Sequence, residues 1–265
     1  SGDALTVGHS NTALGYFSLS SDTAGNASVA IGHSALLAQN FTSATNAFNT
    51  AVGYAAGGAV TTGVENVLIG GIAGDALTDS DRNTAVGYAA LTSDTLGQYN
   101  TAMGYFALGA QNFTTATDTY NTAVGYVAGG AITTGIRQTA LGGLALDADT
   151  QGRRSTAIGF QALSAQNFTT ATDVYNTAVG SEAGLAVTTG THNTFIGGES
   201  GNVMTTGSKN TILGTFSGNE DGVDIRTGSN NIILSDGDGQ VGMRFSISGG
   251  VAFIEGDGTT RFSAG

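Results

Sequence analysis

Asn121-Thr122-Ala123-Val124-Gly125-Tyr126 is one copy of a hexad from which most of this chain is built. With the glycine as anchor, the hexad recurs at Gly15, Gly32, Gly53, Gly70, Gly87 and Gly104. It continues at Gly125, Gly142, Gly159, Gly180, Gly197 and Gly214. Successive anchors lie 17 or 21 residues apart. A period near 20 marks supersecondary units that stack on one another. The spacing predicts an all-β solenoid of 17- and 21-residue coils, covering about residues 11–215.

Two columns alternate through the hexad. The residue before each anchor is aliphatic in every unit, as in Val52, Val86, Val124 and Val179. Two residues earlier stand threonines, replaced by Val29 and Val67. A strand alternates faces with period two, so these positions share one side. The valine exchanges assign that side to the core. The reading therefore requires Val52, Val86, Val124 and Val179 to point inward. It leaves Ala13, Ala30, Ala51 and their equivalents on a small-residue outer face, open to close approach by another copy. Three residues past each anchor stands Ala or Ser, a further tight position. A second glycine follows ten residues after the anchor in the 17-residue units, as in Thr61-Thr62-Gly63, with Ser80 as the exception. There it is expected to supply a positive φ at a turn. In-register coils rise about 4.8 Å each, which predicts a rod on the order of 60 Å. Frequent glycine and β-branched residues argue against helix.

Ser28-Val29-Ala30-Ile31-Gly32-His33 resembles the head repeat of trimeric autotransporter adhesins. Asn83-Thr84-Ala85-Val86-Gly87-Tyr88-Ala89-Ala90-Leu91 is similar to repeats in the tail fibres of bacterial viruses. The resemblance implies a left-handed parallel β-roll and a parallel homotrimer. Adhesin-head coils are shorter than 17 residues, so the extra residues here are expected to form wider turns or loops.

Three coils carry nearly identical inserts: Ala38 to Thr45, Ala110 to Thr117 and Ala165 to Thr172. An aromatic follows each, Phe48, Tyr120 and Tyr175. Phe41, Phe113 and Phe168 in the inserts, with Tyr120 and Tyr175, are the candidate receptor contacts. Residues 1–10 read as an N-terminal cap, because terminal repeats must shield the end of a stack. Residues 216–265 read as a C-terminal hairpin and trimerising tip. Asn230 to Leu234 looks like a last unit with leucine in the glycine slot. The alternating runs Val241 to Ile247 and Val251 to Glu255, broken by Gly249-Gly250, read as hairpin strands.

The composition excludes several function classes. The formal net charge is −12 with a single lysine, Lys209, which disfavours nucleic acid. There is no cysteine and so neither disulfide nor thiolate metal site. No run reaches the roughly 18 apolar residues of a membrane helix. His9, His33 and His192 fall on distant coils, and Asp236-Gly237-Asp238-Gly239 lacks the ligand spacing of a calcium loop, so it reads as a hairpin turn. The Asn-Phe-Thr triplets at Asn40, Asn112 and Asn167 match a glycosylation sequon but repeat with the insert that contains them. No nucleophile motif, phosphate loop or paired carboxylates appear, and neither catalytic residues, metal nor cofactor is expected.

The expected function is structural and adhesive, without catalysis: a viral tail-fibre segment that spaces or presents contacts to a host-surface glycan or protein receptor. Its location would be the virion. The alternative is the head of a bacterial trimeric adhesin at the cell surface. Two further readings are an ice-binding solenoid, which needs water-facing threonines, and a glycan-degrading tailspike, which needs paired carboxylates in a groove.

Overall fold

The computed structural model describes residues 1–246, 250–254 and 260–264, and the side chains of residues 1–245. It divides into two compact units, Ser1–Arg137 and Gln138–Gly265. No helix occurs among the described residues.

In the first unit one three-residue strand per coil stacks in parallel on the next. The order is Thr12–Leu14, Val29–Ile31, Thr50–Val52, Val67–Ile69, Thr84–Val86, Thr101–Met103 and Thr122–Val124. The second unit repeats this with Thr139–Leu141, Thr156–Ile158, Thr177–Val179, Thr194–Ile196, Thr211–Leu213 and Asn231–Ser235. Register puts like on like: Thr84 on Thr101, Ala85 on Ala102, Val86 on Met103. Each unit is a parallel β-solenoid, as the period predicts.

The face assignment is reversed. Ala30, Ala51, Ala85, Ala102, Ala123, Ala157 and Ala178 are fully buried, at 0% exposure. The threonines and aliphatics around them face outward. Val52, Val86, Val124 and Val179 are only half-buried, and Met103 and Ile196 are 42% and 43% exposed. The reason is width. Leu36, Leu91, Leu108 and Leu163, from the far wall of the coil, are completely buried and fill the interior against the strand. A coil is one side chain thick at this point, so a leucine on one wall leaves room for a methyl group on the other. Where the strand carries something larger, the far wall shrinks. Leu68 sits against Gly57 and Gly74, and Phe195 against Gly184 and Gly201; a Cβ on any of these glycines would overlap the larger side chain.

Glycine has two distinct uses. The anchors from Gly15 to Gly197 lie near φ +135°, and a Cβ on Gly53 would overlap the Gly70 carbonyl of the next coil. The second glycine column does not take a positive φ, contrary to expectation. Gly63 is needed because a Cβ there would run into the Ser80 backbone of the next coil. Left-handed corners fall instead on side-chain-bearing residues, among them Phe48, Arg82, Tyr99, Tyr120 and Arg154.

The wider coils gain a second strand pair: Gly25–Asn26 with Thr45–Asn46, Gly97–Gln98 with Thr117–Asp118, and Gly152–Arg153 with Thr172–Asp173. Beyond them Thr42, Ser43 and Ala44 form an exposed rib, as do Thr114–Ala116 and Thr169–Ala171.

In the last coil Leu213 pairs with Leu234, so Leu234 continues the aliphatic column and Ser235 occupies the glycine slot. That is a one-residue correction to the sequence frame. Asn219–Glu220 and Val223–Asp224 form a short antiparallel pair. Asp236 to Gly239 makes the expected turn, with Asp236 N donating to Gln240 O at 3.1 Å. Strands Val241–Ser246, Gly250–Ile254 and Thr260–Ala264 then follow in antiparallel order. Ile247, Gly249 and Glu255, which the sequence includes in or between the hairpin strands, lie outside the described residues.

Candidate functional site

Each strand presents two side chains outward, the threonine and the aliphatic. The two corners that bound it add one more each: the residue before the asparagine and the residue after the glycine. Coils stack about 4.8 Å apart, so each position becomes a column whose members touch their neighbours.

In the first unit the post-glycine column is an exposed aromatic ladder. Ring centroids are 5.3 Å apart for Tyr16 and His33, and 5.4 Å for His33 and Tyr54. Tyr88, Tyr105 and Tyr126 continue it at 5.7 and 5.4 Å with nearly parallel planes. Gly71 interrupts the ladder, and Tyr88 leans over the space that its side chain would take. The exposure of Tyr54 is 63%. Because the ring faces are taken up by stacking, mainly edges and hydroxyls are offered outward.

The pre-asparagine column mixes charge with rings. Glu65 accepts from Arg82 Nε at 2.7 Å, Arg82 Nη1 donates to the Tyr99 hydroxyl at 2.9 Å, and Tyr99 stacks on Tyr120 at 5.0 Å. The hydrogen bond to Glu65 is the main reason that the Arg82 guanidinium is held above its ordinary pKa. Partial burial, followed by the Asp118 carboxylate, pushes the Tyr120 phenol upward. In the second unit Arg154 lies 5.3 Å over the Tyr175 ring and donates to its hydroxyl, while Tyr175 packs on His192 at 5.1 Å. Asp173 sits 3.5 Å from Arg154 Nε.

Between these edges each unit carries exposed aliphatic side chains, Ile69 and Met103 in the first and Ile158, Ile196 and Leu213 in the second, each more than a third exposed. Exposed apolar patches of this kind, rimmed by polar groups, mark contact surfaces.

The sequence-predicted contacts separate into two groups. Tyr120 and Tyr175 are exposed members of the pre-asparagine column. Phe41, Phe113 and Phe168 are 6–8% exposed and anchor the ribs from beneath, so their rings are not offered to a receptor. The Phe41 ring packs over Gly25, where a Cβ would crowd it.

Beneath each rib lies a buried polar cluster that sequence reading missed. Gln39 Nε2 donates to Asp22 Oδ2 at 2.7 Å, and Asp22 Oδ1 accepts from the N–H groups of Gly25 and Phe41. Asp94 with Gln111 and Asp149 with Gln166 repeat the arrangement. A signal was present. Leucine four residues past an anchor always accompanies Asp or Gln at the seventh, whereas glycine at the fourth accompanies an aliphatic through Gly197. The two positions compete for one space: a Cβ on Gly129 would meet Ile132 at 2.8 Å. These carboxylates are enclosed and hydrogen-bonded, which suits a structural part.

Among the described residues no group of three His, Cys, Asp or Glu side chains is placed to hold a metal ion. His9 lies near Ser10, while His33 and His192 belong to different ladders. Comparison with protein-family models, with curated proteins and with solved structures finds no match.

Proposed function

We propose that this chain is a non-enzymatic structural segment of a fibre, which associates with copies of itself through the Thr/aliphatic face. The observation that carries this is the row of exposed aliphatic side chains on the outer face of each unit, Ile69 and Met103 in the first and Ile158, Ile196 and Leu213 in the second, beside stacked edge residues. Covering such a row removes apolar surface from water at about 25 cal/mol per Å². The face used differs from the small-residue face that the sequence suggests, because the alanines are inside. A parallel homotrimer is the form that the resemblance to viral tail fibres and trimeric adhesin heads implies. Contact with a host-surface glycan or protein then falls to the exposed ribs, such as Thr114–Ala116. A viral tail fibre is the leading setting and a bacterial adhesin head the alternative. Sedimentation equilibrium tests the core of the reading: a trimer mass is expected, and a monomer near 26.3 kDa at micromolar concentration would sink it.

One observation favours a second reading. The threonine column faces outward in register, with Thr84 on Thr101, so the burial argument against ice binding no longer holds. Against it stand the protruding tyrosines beside that column. A thermal-hysteresis assay separates the two, with no activity expected for the fibre reading.

A further inference from the structure

Four of the eight Lys and Arg residues of this acidic chain share one structural position, the corner before the asparagine slot: Arg82, Arg137, Arg154 and Lys209. Within each unit they bracket two rings. Arg82, Tyr99, Tyr120 and Arg137 stand on successive coils of the first unit, and Arg154, Tyr175, His192 and Lys209 on successive coils of the second. All eight have the same left-handed backbone, with φ between 51° and 64°. The order cation, ring, ring, cation spans three coil steps, about 14 Å. The two ends of each column differ. Arg82 lies 5.4 Å over the Tyr99 ring, donates to the Tyr99 hydroxyl and to Glu65, and has Asp81 at 4.0 Å. Arg154 lies over the Tyr175 ring, donates to its hydroxyl and meets Asp173. At the other ends Arg137 and Lys209 are exposed, and neither forms an ion pair among the described residues. The net charge of −12 does not cancel these two cations, because at physiological salt charges more than about 8 Å away are largely screened.

We infer that each column is a binding site for an acidic linear glycan that runs along the stack. An anionic group of the glycan seats on Arg137 or Lys209, and neutral sugar lies along the ring pair. The inference rests on the glycan contact proposed above; it names the ligand class and places it on these corners rather than on the ribs. Guanidinium and ammonium both form charge-assisted hydrogen bonds to carboxylate or sulfate oxygens. Glu65 and Asp81 in the first unit, and Asp173 in the second, repel an anion from the committed end, so each site has a direction. Sugars in an extended chain advance by roughly the height of one coil, which keeps them in step with side chains that repeat every 4.8 Å or so. The Tyr120 hydroxyl and the His192 ring are at exposed corners, within reach of sugar hydroxyls. A peptide strand gains less here. The corner backbone is already spent on stacking: Arg137 N donates to Thr119 O and Lys209 N to Thr191 O, both at 2.8 Å. The stacked rings also leave no slot between them for an apolar side chain.

Calorimetric titration of the whole chain, in the assembly state it adopts, tests this with three tetrasaccharides. Hyaluronate carries a carboxylate on every second sugar, its methyl ester keeps the backbone without the charge, and κ-carrageenan carries a sulfate on every second sugar. One site per column is expected for at least one charged glycan, with affinity falling as salt is raised. The charged glycan that binds identifies the anion. The ester is expected to bind at least about tenfold more weakly, the worth of one charge-assisted hydrogen bond. Arg137→Gln is expected to remove the site of the first unit and Lys209→Gln that of the second, while the double variant loses both. Arg226→Gln, an exposed cation outside the columns, is expected to keep both. Thermal melts and sedimentation are expected to be unchanged in all four variants. No binding of either charged glycan, equal binding of the ester, or a tetraglutamate peptide that binds as tightly as the glycan overturns the inference. A double variant that still binds glycan in full overturns the columns while leaving glycan contact through the ribs standing. Self-association is decided separately, by the sedimentation result.

Discussion

Asn66 Oδ1 accepts the backbone N–H of Asn83, 17 residues on, at 2.9 Å. Asn66 Nδ2 in turn donates to the carbonyl of Ser80 at 2.7 Å. One buried side chain thus ties its own coil to two points of the next. Asn83 repeats the clamp on Asn100, and Asn193 on Asn210. The clamp adds to the backbone bonds that join the same coils, among them Val67 N to Asn83 O at 2.8 Å and Gly87 N to Ile69 O at 2.7 Å.

Asn66→Ala leaves a buried N–H and a buried carbonyl without partners. Each such loss costs roughly 1–3 kcal/mol, so a destabilisation of about 3 kcal/mol is expected in denaturant unfolding. A change below about 0.5 kcal/mol would show that the clamp is not structural.

Ala102 and Met103 are neighbours with opposite roles. Ala102→Ile forces a larger side chain against the leucines of the far wall and is expected to destabilise by about 1–3 kcal/mol or more. Met103→Ala is expected to leave the fold of an isolated chain within about 1 kcal/mol while weakening self-association. Thermal melts and sedimentation on the same samples decide between this and the reversed assignment.

Asp94 accepts from Gly97 N, Phe113 N and Gln111 Nε2 at 3.1, 2.9 and 2.6 Å. Asp94→Ala strands three buried donors, and a loss of at least about 3 kcal/mol is expected. The effect should be local first. Hydrogen exchange at Thr114–Thr117 is expected to quicken before exchange at Thr84–Val86 does.

Asp224 is hydrogen-bonded to the Arg226 side chain and backbone, which lowers its pKa to about 2. The folded value lies below the ordinary 3.8, so the pair's contribution is present above that value and is lost as pH falls through about 2. Both groups are exposed, so solvent screens the pair and its weight in stability is small. Carboxylate NMR should place the Asp224 midpoint near 2, and Arg226→Ala should return it towards 3.8.

Stacking, coil length and the β character of the coils are legible in the hexad because every unit repeats the same turn residues at the same spacing. The Asp22–Gln39 clusters were legible in principle, through the pairing of Leu19 with Asp22 and Leu36 with Gln39. They escape a reading made one unit at a time, since each bond joins two coils.

The sequence by itself determined that the strands lie in parallel register, because Thr84, Ala85 and Val86 meet the equivalents of themselves 17 residues on. Only the tertiary structure decided which face is inside. Alternation with period two is satisfied equally by either phase, and valine beside alanine suggests the wrong one. The choice is made by the far wall: with Leu91 and Leu108 already filling the width of the coil, a methyl group is all that fits, and the bulkier threonine and valine columns are turned out to where another chain can meet them.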